Sequence, residues 1–321
     1  MRVRLSKLEG VDLNVFEFDY DLTMMIFFLN ADEHIYGRYG GREGESADAR
    51  QSLAGLRYAM QAALGTHRRV AESPIPKASE RPQTVSDLFG GKRRDGCVHC
   101  HQVKETQNNN LKRDGLWNPD HIWRYPLPDN LGLVLEVDRG NVIKHVESDS
   151  PAARVGLRPG DVVRNLGDTA IHSPADARFA LDKAPKSGSI EITWQRGDET
   201  SQKRLALPKG WRKTDLSWRR SMQWAVPSAR VVGRNLNPEE RQTRGLSAGQ
   251  LAFWQLYPVS TAAAAAGVRE KDIILGFDGK LLEMTSYKFL SYVRRNYVVG
   301  DKVTIDVLRG DKRLSLPMQL R

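Results

Sequence analysis

The chain has 321 residues, 40% of them hydrophobic and 27% charged, with a mean hydropathy of −0.51. Its length suits two or three domains, and its composition excludes both a membrane-spanning bundle and a wholly disordered polypeptide. The net charge is +10, but the basic residues are dispersed and form no block interleaved with aromatics, so a solvated basic surface explains them better than a nucleic-acid footprint.

No apolar run reaches the roughly 18 residues a bilayer span needs; the longest, Leu22 to Leu29, is strand-sized. The first twenty residues carry basic side chains but no apolar core of a secretory signal. As written, the chain is expected in the cytoplasm; with its true start upstream, it is expected in the periplasm or elsewhere outside the cytoplasm.

Taken in order, Thr23 to Leu29 and His34 to Tyr39 read as paired strands of a hairpin. Leu53, Leu56, Met60 and Leu64 then recur at helical spacing. Pro74, Pro76 and Pro82 mark residues 71–83 as a linker, and residues 84–125 form a small basic segment around Cys97-Val-His-Cys100-His101. From Pro126 the chain is strand-rich and repeats itself. Gly156-Leu-Arg-Pro-Gly-Asp-Val-Val163 is matched by Gly267-Val-Arg-Glu-Lys-Asp-Ile-Ile274, each preceded by a Ser-x-Ala-Ala turn at Ser150 or Ser260. Pro174 to Leu181 and Ser286 to Val293 read as the long helices of the two copies. Ile190 to Trp194 and Val303 to Val307 read as their last alternating strands, each ending in an Arg-Gly-Asp turn.

This repeated block resembles the core of bacterial PDZ domains, over residues 126–208 and 240–321, with a Trp-containing connector at 209–239. The resemblance implies peptide binding by strand addition, with a partner's C-terminal carboxylate meeting backbone N–H groups of a glycine-containing loop. In the first copy Leu131-Gly132-Leu133-Val134 fits that loop, and Arg178 or Phe179 would face the groove. In the second copy the nearest candidate is Gly249-Gln-Leu-Ala-Phe253. Protein or peptide C-termini are therefore the expected partners.

Cys97-x-x-Cys100-His101 has the spacing for covalent attachment of haem c, two thiols for the vinyl groups and His101 as an axial ligand. Leu88, Phe89, Trp117 and Trp123 are available to cover a ring, and His121 is the nearest second ligand. The same cysteines also suit a zinc site with His99, His101 or His121, a redox dithiol, or two structural thiols.

The order of parts resembles a planctomycete-type family of bacterial envelope proteins, some of them selenoproteins, in which a thioredoxin-like domain precedes a PDZ region. Gly10 to Thr23, Phe28 to Asp32, Ile35 to Gly41, Ser52 to Leu56 and Asn296 to Val303 carry that likeness. Residues 1–70 would then be the later part of a thioredoxin-like domain, beginning after its active-site cysteines. The expected fold is α+β: a partial thioredoxin-like domain, a CxxCH segment and two PDZ-like domains. No Gly-x-Ser-x-Gly elbow and no Ser, His and Asp set with catalytic context is present, which argues against a protease. The function expected is that of an envelope protein-binding module with a haem attachment motif, the alternatives being a thiol-disulfide protein using Cys97 and Cys100 or a scaffold with a structural metal.

Overall fold

The computed structural model describes residues 8, 10–44, 46–70, 82–91 and 98–321. The chain divides into two compact units, the first comprising Met1–Thr214 with Trp218–Ser221, the second Asp215–Ser217 with Met222–Arg321. Cys97 lies outside the described residues.

The first unit opens with a hairpin, β1 (Met25–Leu29) against β2 (Ile35–Gly40), antiparallel with a bulge between Phe28 and Leu29. Helix α1 (Leu53–Val70) packs along β2. Gly55 is obligatory there, because a Cβ would run into the carbonyl oxygen of Val137. Short α2 (Val85–Leu88) is closed by a capping box between Thr84 and Asp87, and α3 (Cys100–Arg113) follows. Leu13, Phe18, Tyr20, Val85, Leu88 and Val103 form a small core beneath these helices.

Then come β3 (Leu133–Leu135), β4 (Ile143–Val146), α4 (Pro151–Val155), β5 (Val162–Leu166), β6 (Thr169–Ala170), α5 (Pro174–Lys183), β7 (Gly188–Arg196) and β8 (Glu199–Leu207). Strands β3 and β4 pair with each other, and the larger sheet runs in the order β6-β5-β7-β8. Alternation along β7 sends Ile190, Ile192 and Trp194 inward, into the core that also holds Ala177, Ala180 and Leu181 of α5. Burying each large apolar side chain there contributes roughly 1.5–3 kcal/mol.

The second unit holds β9 (Gly233–Asn235), α6 (Pro238–Gln242), β10 (Phe253–Gln255), α7 (Thr261–Ala265), β11 (Ile273–Phe277), α8 (Ser286–Asn296), β12 (Lys302–Arg309) and β13 (Lys312–Gln319). Its single sheet runs β13-β12-β11-β10-β9, which leaves β9 at an edge. Phe253, Phe277, Phe289, Val293, Ile305 and Val307 fill its core.

The mixed helix and strand content agrees with the α+β expectation, and the helices read at Pro174 to Leu181 and Ser286 to Val293 are α5 and α8. Residues 1–70 contribute, among the described residues, one hairpin and one long helix packed into the first unit. The thioredoxin-like part of the expectation gains no support.

Candidate functional site: two grooves built on one plan

Both units share a bracket that fixes their plan. In the first, Asp161 takes a two-pronged ion pair from Arg196, at 2.7 Å on each prong, and Arg196 also donates to the Gly156 carbonyl at 2.8 Å. In the second, Asp272 takes the same fork from Arg309 at 2.8 Å, and Arg309 reaches the Gly267 carbonyl at 2.7 Å. Each aspartate also accepts a backbone N–H three residues upstream, from Arg158 or Arg269 at 2.8 Å. Ser150 and Ser260 cap α4 and α7 through Ala153 and Ala263. The φ angles of Gly156 and Gly267 are 89° and 93°, which favours glycine at both. The Arg-Gly-Asp turns and the Gly-x-x-x-x-Asp blocks are therefore two ends of one structural clamp.

The bracket sets a register for what borders each groove. The N-caps of α5 and α8 are Ser173 and Thr285, and Ala177 and Leu181 occupy the buried places of Phe289 and Val293. Ala175, Arg178 and Asp182 then correspond to Tyr287, Leu290 and Arg294.

In the first unit this helix face is covered by the chain itself. The Arg178 guanidinium is paired with Asp19 and donates to the carbonyls of Arg42 and Tyr125 at 3.2 and 3.4 Å. Asp182 takes Arg124 Nε at 2.7 Å and the Tyr125 backbone N–H at 2.8 Å, and these bonds hold its carboxyl below the usual range against the effect of burial. Asp176 accepts the Arg38 backbone N–H at 2.7 Å, and Arg38 stacks on Phe179 at 3.5 Å. Eight residues of the ten-residue α5 are buried. The expected loop is formed: Leu131 and Leu133 are buried in the core, Val134 is half-buried, and Gly132 has φ 78°. A Cβ on Gly132 would overlap the Ser150 side chain, so this glycine is needed for folding whatever it binds.

In the second unit the corresponding loop is Ala229-Arg-Val-Val232, and Gly249 to Ala252 instead lead into β10. Ala229 and Val231 are buried like Leu131 and Leu133, Arg230 has a positive φ of 52° like Gly132, and Val232 is 69% exposed. Ser260 Oγ donates to the Arg230 carbonyl at 2.7 Å. Across a cleft of about 280 Å³ stand Leu290 and Arg294 of α8. Among the described residues the guanidiniums of Arg230 and Arg294 make no hydrogen bond or ion pair. Among the described residues the outer edge of β9 has no strand beside it.

Spacing hid this loop from sequence reasoning. Leu131 precedes Ser150 by 19 residues, whereas Ala229 precedes Ser260 by 31. The extra length lies between β9 and β10 and holds α6. The readable signal is the apolar-x-apolar-apolar pattern of Ala229 to Val232.

Of the CxxCH motif, Cys100 and His101 open α3. Burial pushes the Cys100 thiol up. His101 Nδ1 contacts Glu105 one turn along the helix at 2.8 Å. His121 lines a cleft on a different face of α3, with Lys104, Gln107 and Leu111, so the structure does not bring His101 and His121 together. Among the described residues no group of three His, Cys, Asp or Glu side chains is placed to hold a metal.

Comparison with known proteins agrees with the plan of the first unit. A PDZ domain model matches residues 142–196, and that stretch is a PDZ domain. The serine protease Do-like HtrA of Lactococcus lactis subsp. lactis is 34% identical over 79 residues, covering 25% of this chain and 19% of that protein. The periplasmic serine endoprotease DegP of Escherichia coli K12 is 38% identical over 63 residues, or 20% and 13% of the two chains. The chain thus spans a fifth or less of the length of these relatives. The solved HtrA-type protease AlgW with tripeptide aligns at a TM-score of 0.27 and 17% identity, over 52% of this chain and 55% of that one. No helix of the described residues is long and apolar enough to cross a membrane.

Proposed function

We propose that this chain is a peptide-binding protein with two PDZ-type units, and that the second unit offers the docking groove. The observation that carries the reading is the cleft between Ala229–Val232 and α8, with a strand edge on one side and two guanidiniums at its rim that have no partner among the described residues. An extended chain would add to β9, its backbone satisfying the edge's free groups. Its last side chain would rest on Val232 and Leu290, and its terminal carboxylate would meet Arg230 and Arg294. Leu131, Gly132, Leu133 and Val134 then serve mainly to close the PDZ core of the first unit, whose helix face is already occupied.

The test is a fluorescence anisotropy titration of the full chain with labelled peptides that end in an apolar residue, as free acids and as amides. Free acids are expected to bind at least tenfold more tightly than amides. Arg294→Glu should erase that difference, and Val232→Asp should weaken both series. Equal affinity for acid and amide, or wild-type affinity in Arg294→Glu, would overturn the reading.

A further inference from the structure

The first unit contains a second cleft, of about 380 Å³, between the segment from Leu13 to Tyr20, one face of α3, and Arg124–Tyr125. Its volume falls in the range of small-molecule sites, roughly 300–1,000 Å³. Lys104 enters it from α3. Lys104 is only 8% exposed, and its ammonium makes no hydrogen bond or ion pair among the described residues.

A buried ammonium without a partner is among the most expensive groups a fold can carry. The nearby carboxylates offset it only in part, because each is already engaged. Asp19 pairs with Arg178 and Arg219, Asp182 with Arg124, and Glu17 with Lys183. Two further donors line the same cleft. Tyr20 and Tyr125 are 6% and 9% exposed, and among the described residues their phenol oxygens have no hydrogen-bond partner. Burial pushes both phenols well above their ordinary range, so both keep their protons and remain donors.

We propose that this cleft binds a small oxyanion, a carboxylate or a phosphate monoester, with Lys104 as its counter-charge and the phenols of Tyr20 and Tyr125 as hydrogen-bond donors. The ligand would supply the negative charge that the surrounding carboxylates, spent on arginines and on Lys183, do not. The site is separate from the peptide groove of the second unit and uses none of its residues.

Two measurements on the full chain test the proposal, with acetate and inorganic phosphate as probes and chloride as control. The first is titration calorimetry. One probe should bind saturably at one equivalent, and Lys104→Met should weaken it at least tenfold, while Lys104→Arg stays within a few-fold. Tyr20→Phe and Tyr125→Phe should each weaken it a few-fold. The second needs no variant: reductive methylation of Lys104, read by mass spectrometry, should slow at least threefold with the bound probe and not with chloride. Protection by acetate alone assigns a carboxylate ligand, and protection by phosphate alone assigns a phosphate. Absence of saturable binding together with equal labelling under all three salts, or wild-type affinity in a folded Lys104→Met, would overturn the site.

Discussion

Cys100 and Lys104 sit one turn apart on α3, and burial drives both toward their uncharged forms. The Cys100 thiol is pushed up, and the Lys104 ammonium down to about 8, with Arg124 and Arg219 adding to the fall and Asp182 and Asp19 opposing it. The consequence for Cys100 is chemical. Each unit by which a thiol rises cuts its thiolate about tenfold at neutral pH, and the thiolate is the nucleophile. Iodoacetamide should therefore alkylate Cys100 in the folded chain more slowly at pH 7.5 than it alkylates free cysteine, the two rates converging on unfolding. A folded-state rate above that of free cysteine would restore the thiol-disulfide alternative. The CxxCH spacing was legible in the sequence, but the surroundings of Cys100 were not. They are built by Leu13, Phe18 and Tyr20, some eighty residues away.

At the scale of elements, α5 shows where sequence reading stops. Its extent is legible from Pro174 to Leu181. Arg178 or Phe179 is expected to face an open groove, and nothing local marks Asp176 and Asp182 as buried, since charged residues at helical spacing normally are not. Here that face is covered, and its partners, Asp19, Arg38 and Arg124, lie so far off in the chain that no local pattern announces them. The same limit applied to Ala229–Val232, displaced from its expected place by the stretch holding α6. Asp182→Ala tests the buried network. It strips Arg124 and the Tyr125 N–H of their acceptor, and removing one partner of a buried pair costs about 3 kcal/mol. The urea midpoint of the first unit should fall accordingly. Asp182→Asn, which can still accept from Tyr125, should cost less. An unchanged midpoint in Asp182→Ala would mean that the face of α5 is open in solution.

Across the whole molecule, one plan has been used twice with different outcomes. The bracket of Asp161 with Arg196 and that of Asp272 with Arg309 organise both units alike, yet among the described residues only the second leaves its helix face uncovered. Calorimetric titration with a free-acid peptide should accordingly give one equivalent per chain, not two. Two equivalents of similar affinity would show that the first groove also opens. The first unit takes in Trp218–Ser221, beyond residues already assigned to the second. Arg219 pairs with Asp19 at 2.6 Å, and Ser221 donates its backbone N–H to Asp21 at 2.9 Å. Both aspartates are only 5% exposed. Gene dissection has to respect that stitch. A fragment ended after β8, where sequence alone would cut, takes Arg219 from Asp19 and both Arg219 and Ser221 from Asp21, and should be less soluble and less stable than one carried through Ser221, although the residues added beyond β8 belong to no strand.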